Sequence, residues 1–317
     1  MRVTNNMLIS NYLTNLNKNM KSMNLYESQL SSYQKITRLS DDPIGVISSM
    51  DIRSKLRDLT QYQKNVDDAQ SWLTEVETAA MDLNDSVKSA YESAMQAATG
   101  TQAADEKASI AAYIKQLREH VVQTANSTYG DKYLFGGYNV SSAPFVDSGS
   151  AVLYQGNIDL TALDPANAAD KATIDQLNSE QVSFEIGRGL DMSVTFSGAE
   201  VMGTGDDNLI KMLDDFYNLL QSDGSSADIA AIGQRFKEKQ NDILALVADV
   251  GGRSNRLELV ANRYESDELN YETIRSGIED IDPSEVIMNF KMAESVYNAA
   301  LSVGSQVLMP SLMDFLN

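Results

Sequence analysis

A single histidine and no cysteine in 317 residues leave little from which metal or nucleophilic chemistry could be built. His120 lies beside Leu117 and Val121 of a helical apolar pattern, with no histidine partner and no nucleophile motif nearby. It reads as a helix-flank residue and not as an acid/base catalyst. Three adjacent acid pairs, Asp41/Asp42, Asp206/Asp207 and Asp214/Asp215, are the remaining candidates. None has the spacing of a calcium loop, and acids early in helices serve as caps or dipole partners. Gly187-Arg188-Gly189 and Gly203-Thr204-Gly205 do not complete a phosphate-binding glycine motif. The expectation is therefore no catalytic residue, no metal ligand and no cofactor-binding residue, hence not an enzyme.

The composition narrows the partners. With 45 acidic against 25 basic side chains the formal net charge is -20, which repels phosphate backbones and anionic lipid, so neither nucleic acid nor membrane is expected. Mean hydropathy is -0.29, and no stretch approaches the roughly 18 apolar residues of a bilayer span. The start, Met1-Arg2-Val3-Thr4-Asn5, does not resemble a cleaved signal peptide. Export, if it occurs, is expected without one.

The elements show two helical flanks around a different centre. From Ile52 an apolar seam runs through Leu56, Leu59, Tyr62, Val66, Ala69, Leu73, Val76, Ala80, Leu83 and Val87 in steps of three and four. A second helix is expected over 110–128, a third over about 209–220, and a long seam from Ile243 to Ile281 interrupted at Gly251-Gly252. Ser40-Asp41-Asp42-Pro43 and Asp282-Pro283-Ser284-Glu285 are helix-start signals that separate terminal helices from core helices. Between about 133 and 205 the helical period is lost. Val182, Phe184 and Ile186, then Met192, Val194 and Phe196, alternate with polar residues about a glycine turn and read as a β-hairpin; a short helix is expected within 164–181. The fold class is thus mainly α: a long antiparallel helical bundle or coiled coil formed by the N- and C-terminal flanks, with a small β-rich insertion. The expected domains are terminal assembly helices at 1–35 and 285–317, a bundle core at 36–132 and 206–284, and the insertion at 133–205.

The terminal stripes are the strongest functional signal. Ile9, Leu13, Leu16, Met20 and Met23 at the front are matched by Phe290, Val296, Val303, Val307 and Leu308 at the back. Residues 1–40 carry five basic side chains against Glu27, whereas 284–317 carry Lys291 against three acids. Opposite charge and sparse apolar stripes suggest that the ends pair with each other and with neighbouring subunits, because neither stripe alone offsets the cost of ordering its backbone. These ten residues are the expected assembly or chaperone interface.

Several segments resemble a known family. The Met1-Arg2-Val3-Thr4-Asn5 start, Ile36-Thr37-Arg38-Leu39-Ser40-Asp41-Asp42-Pro43, Thr128-Tyr129-Gly130-Asp131-Lys132-Tyr133-Leu134-Phe135-Gly136-Gly137 and the tail from Pro283 to Asn317 are similar to the flagellin superfamily. The resemblance covers about 1–140 and 205–317. Ser40-Asp41-Asp42-Pro43, where filament subunits have a Lys-Asp-Asp-Ala pattern, and the Tyr-Leu-Phe-Gly-Gly turn resemble the hook-filament junction type within it. That resemblance implies a structural adapter of the bacterial flagellum, outside the cell and exported through the flagellar type III channel. It implies self-association in a ring, contact with a neighbouring hook-associated protein and with flagellin, and a flagellar export chaperone on the C-terminal helix. The alternatives are a flagellin-type filament subunit or a cytoplasmic helical interaction protein.

Overall fold

The computed structural model describes residues 5–99, 104–147, 152–222 and 224–308. In chain order the elements are α1 (Asn5–Ser32), α2 (Pro43–Ala98), α3 (Ala104–Ala125), β1 (Thr128–Tyr129), β2 (Lys132–Tyr133), β3 (Phe145–Asp147), β4 (Val152–Tyr154), α4 (Ala168–Ser179), β5 (Ser183–Gly187), β6 (Leu190–Ser193), α5 (Gly198–Met202), α6 (Leu209–Gln221), α7 (Ser226–Glu279) and α8 (Pro283–Leu308). The chain is mainly α with small antiparallel sheets, as expected. It divides into two compact units, one of residues 1–59 with 265–317 and one of residues 60–264. Among the described residues no helix is long and apolar enough to cross a membrane.

In the unit 60–264 the apolar seams of the sequence become the core. Val66, Leu73, Val76, Leu83 and Val87 of α2 are buried, as are Ile114, Leu117 and Val121 of α3 and Ile243, Val250, Leu257 and Tyr264 of α7. The α7 positions recur every seven residues, the period of a helix that keeps one face on its neighbours. α6 lies along α3, and its Phe216 meets Phe236 of α7 edge to face with ring centroids 6.0 Å apart. The expected interruption at Gly251-Gly252 does not occur: α7 runs through both glycines, beside which an added side chain would meet only open space. Each glycine costs a helix about 1 kcal/mol, too little to break 54 residues anchored by buried residues on either side. The helix expected to reach residue 128 stops at Ala125, and Thr128 begins β1.

Among the described residues the centre holds three separate two-stranded antiparallel sheets. The expected hairpin pairs Phe184 with Met192 and Glu185 with Asp191, turns at Arg188-Gly189 and carries an irregularity between Glu185 and Gly187. It is bonded to helices of the same unit: the Tyr264 hydroxyl donates to the Ile186 carbonyl, and Arg253 donates to the Ser193 carbonyl at 2.8 Å while covering the Phe196 ring. Tyr154, fully buried, gathers the rest. Its hydroxyl donates to the Phe135 carbonyl and accepts from the Gly198 amide, each at 3.1 Å. Gly198 is required there because any side chain would overlap the Tyr154 and Phe145 rings. The short helix expected within 164–181 is α4, capped by the Asn167 side chain accepting from the Ala169 amide.

Lys239 is buried on α7, and that burial lowers its pKa from 10.5 to about 8, partly countered by Asp242 and Asp207. A folded-state value below the unfolded one means the unfolded chain binds more protons between these limits, so stability should rise as pH rises from about 8 to 10.5. Lys239→Met should abolish that rise and stabilise the unit at pH 7 by roughly 3 kcal/mol on the linkage of about 1.4 kcal/mol per pH unit. Denaturant melts of both proteins across this range provide the check.

Candidate functional site

The unit of residues 1–59 and 265–317 brings the two ends of the described chain together. α1 lies along α8. On α1 the half-buried positions Ile9, Tyr12, Leu16, Asn19, Met23, Tyr26 and Leu30 recur in alternating steps of three and four, and on α8 so do Val286, Phe290, Ala293, Tyr297, Ala300 and Gly304. This is the spacing of a helix pair joined along one seam. Ala293, Ala300 and Gly304 of the α8 seam are small, which lets the helices approach closely. There the Tyr12 hydroxyl donates to the Ala300 carbonyl at 2.9 Å, and a side chain at Gly304 would overlap the Tyr12 ring and hydroxyl.

Of the ten expected interface residues the structure describes the side chains of eight, four on the seam and four off it. Ile9, Leu16, Met23 and Phe290 sit on the half-buried seam positions. Leu13, Met20, Val296 and Val303 do not: the last two are 47% and 54% exposed. The seam expected on α8 drifted by one residue because Val296 and Val303 are more apolar than the adjacent Tyr297 and Gly304, yet the latter keep the three-four phase set by Val286. Val307 lies in α8, but its side chain and that of Leu308 fall outside the described residues. The sequence reading missed Tyr12, Tyr26, Tyr297 and Gly304. Strict extension of the phase from Val286 would have found the two on α8.

Away from the seam the same helices leave large apolar side chains uncovered. Met7, Leu8, Leu13, Met20 and Leu25 on α1, with Ile287, Met288, Met292, Val296, Leu301 and Val303 on α8, are all exposed large hydrophobic residues. So many large apolar side chains exposed on one helix pair point to association with other chains. The four methionines among them can repack against unlike neighbours because their side chains are unbranched and polarisable.

Both connections to the core helices are built as the two punctuation signals predict. Asp42 caps α2, its carboxylate accepting from the Gly45 amide at 3.0 Å, and Pro43 follows as the first helical residue. Asp282 caps α8 by accepting from the Ser284 amide at 2.8 Å. The connectors themselves pair: Gln34 bridges Asp280, the Lys35 amide donates to the Glu279 carbonyl at 2.6 Å, and the Ile281 amide donates to the Tyr33 carbonyl. Beneath them Glu279, 8% exposed, accepts two bonds from Arg53 at 2.6 Å and one from the Ser49 hydroxyl.

The bonds from Arg53, then that from Ser49, hold the Glu279 carboxyl below its ordinary value of 4.5. A lowered folded-state value gives a stability contribution that is full at neutral pH and is lost as the pH falls through it. Acid should therefore loosen the connector, raising hydrogen exchange at Lys35 and Ile281 before the core unfolds. Glu279→Gln should exchange fast there already at pH 7 and show little further change on acidification to below 4.5.

The acid pairs resolve into caps and ion pairs. Asp41 accepts from the Arg38 amide, Asp206 pairs with Lys211 at 2.6 Å, Asp214 pairs with Arg118 at 2.7 Å and Asp215 lies 3.8 Å from Arg235. His120 is exposed on α3. Among the described residues no group of three or more His, Asp or Glu side chains could hold a metal ion.

The comparisons agree with this arrangement. Residues 3–140 match the bacterial flagellin N-terminal helical region. Flagellar hook-associated protein 3 of Salmonella typhimurium is 23% identical over 95% of both chains, and the flagellin of Bacillus subtilis is 27% identical over 98% of this chain and 95% of its own. The crystal structure of Bacillus cereus FlgL, 20% identical, superposes with a TM-score of 0.55 over 71% of this chain and 99% of that one, which shows a shared fold. Residues 3–140 are thus similar to the flagellin N-terminal helical region, and over nearly its whole length the chain resembles flagellar hook-associated protein 3.

Proposed function

We propose that this chain is a structural adapter of the bacterial flagellum, seated at the hook-filament junction and linking hook-side proteins to the flagellin filament. The observation that carries this is the pairing of α1 with α8, both of which keep large apolar side chains uncovered, in a chain similar over 95% of its length to hook-associated protein 3. A paired-helix stripe is the kind of surface a neighbouring subunit covers. Its relatives are structural flagellar proteins, and the chemistry of the described side chains is that of caps, seams and ion pairs.

The finer parts of the reading rest on the same surface. Subunits associate in a ring through Leu13, Met20, Val296 and Val303, with Val307 and Leu308 as further contacts, while Ile9, Leu16, Met23 and Phe290 hold the pair together. An export chaperone takes the α8 stripe before assembly, since an amphipathic helix is read by a groove. The chain is exported to the cell exterior, and residues 133–205 act as an insertion dispensable for junction contacts.

The similarity to Bacillus subtilis flagellin supports a second reading, a filament subunit. The Ser40-Asp41-Asp42-Pro43 start of α2 and the buried Leu134-Phe135-Gly136-Gly137 turn favour the junction reading. Deleting the gene separates them. A junction protein's loss leaves hooks without attached filaments and full-length flagellin shed into the medium; a filament subunit's loss leaves hooks with its own product missing from the medium and other flagellins unshed.

A further inference from the structure

A cavity of about 420 Å³ opens in the unit 60–264 between α2, the β1–β2 hairpin and β5, within the range of small-molecule sites, about 300–1,000 Å³. None of the assembly residues lines it. Its floor is Trp72, 5% exposed, whose ring meets Tyr129 edge to face with centroids 6.1 Å apart and planes at 86°. Phe184 is a third aromatic residue of the lining, which also includes the exposed Asp68, Asp131 and Lys132. The indole nitrogen of Trp72 is buried with no hydrogen-bond partner, which is uncommon and calls for an explanation.

We propose that this cavity binds a neutral sugar of one or two rings. Two aromatic planes at right angles present a face and an edge to the apolar C–H surface of a pyranose. The carboxylates of Asp68 and Asp131 accept from its hydroxyls. Lys132 donates to a ring or hydroxyl oxygen, and a small shift of Trp72 gives its N–H an oxygen acceptor. A cation would use the aromatic faces and the two carboxylates but meets the Lys132 ammonium and offers nothing to the indole N–H. A purely apolar group would leave three charged side chains to be desolvated without partners. A polyol answers all of these groups together.

Trp72 is the only tryptophan in the chain, so its fluorescence reads the cavity directly in the full-length protein. Titration with maltose, cellobiose and N,N′-diacetylchitobiose should give, for at least one of them, a saturable change with a half-point of about 1 mM. Tyr129→Ala and the double variant Asp68→Asn/Asp131→Asn alter exposed side chains and should keep the circular dichroism spectrum while weakening the response tenfold or more. Saturation-transfer NMR should show the sugar C–H protons touching the protein. The proposal is overturned by the absence of a saturable response to all three sugars, by a response unchanged in the folded variants, or by a response confined to tetramethylammonium or to N-acetylleucinamide, which would make the cavity a cation or apolar side-chain site.

Discussion

Aspartate at both Val296 and Val303 should leave the folded chain intact and abolish filament attachment. Both valines are exposed on α8, so charging them costs the monomer little, within about 0.5 kcal/mol per site as for ordinary surface changes. On the proposed reading the same positions are covered in an assembled junction and in a chaperone groove. A carboxylate buried there without a partner costs several kcal/mol per interface, and a ring repeats the penalty at every subunit. The expected outcome is an unchanged melting transition, chaperone affinity reduced by more than a hundredfold, and cells with hooks that shed filaments. Lys291→Ala is the comparison. Lys291 pairs with Glu294 at 2.8 Å on the exposed surface, an interaction worth about 0–1 kcal/mol, and its removal should leave motility normal. Normal attachment in the double aspartate variant would mean that the α8 outer face is not the assembly surface.

Gly304→Leu should part the two terminal helices. Helix propensity alone favours the substitution by up to about 1 kcal/mol, so any loss must come from packing. The new side chain occupies the place of the Tyr12 hydroxyl, breaking its bond to the Ala300 carbonyl and forcing the close seam apart, with an overpacking cost of about 1–3 kcal/mol. Hydrogen-exchange protection along 5–32 should fall about tenfold or more, while the unit 60–264 keeps its protection. Adding Tyr12→Ala should restore part of it by opening space for the leucine. Full protection in Gly304→Leu would contradict the packing of α1 on α8 through this seam.

The long helices were legible because burial follows period. From Val66 to Val87 on α2, and from Ile243 to Tyr264 on α7, apolar residues fall on one face, and the two Asp-Pro starts marked helix ends through groups whose hydrogen bonds the structure shows. The hairpin at 183–193 was legible from alternation. What the sequence hid was which face of α8 is covered. Val296 and Val303 look like seam residues by apolarity, but Tyr297 and Gly304 carry the seam by shape, one through a long amphipathic ring and the other through the space it leaves for Tyr12. Tyr12 itself reads as a polar-tipped residue until its bond to Ala300 is seen. Pairing across some 290 residues leaves no local trace, and neither does the clamp of Glu279 with Arg53 and Ser49, whose members are unremarkable charged and polar positions in their own helices. The cavity at Trp72 is hidden for the same reason, since its walls come from α2, a hairpin and β5.

Where the protein sits on the flagellum is the central claim, and gold labelling of an epitope placed in the exposed Arg188-Gly189 turn, imaged by electron microscopy on intact flagella, tests it most directly. A single narrow band at the distal end of the hook, where the filament begins, is the predicted result. Gold distributed along the whole filament would make the chain a filament subunit, and label confined to the cytoplasm would contradict the adapter role altogether.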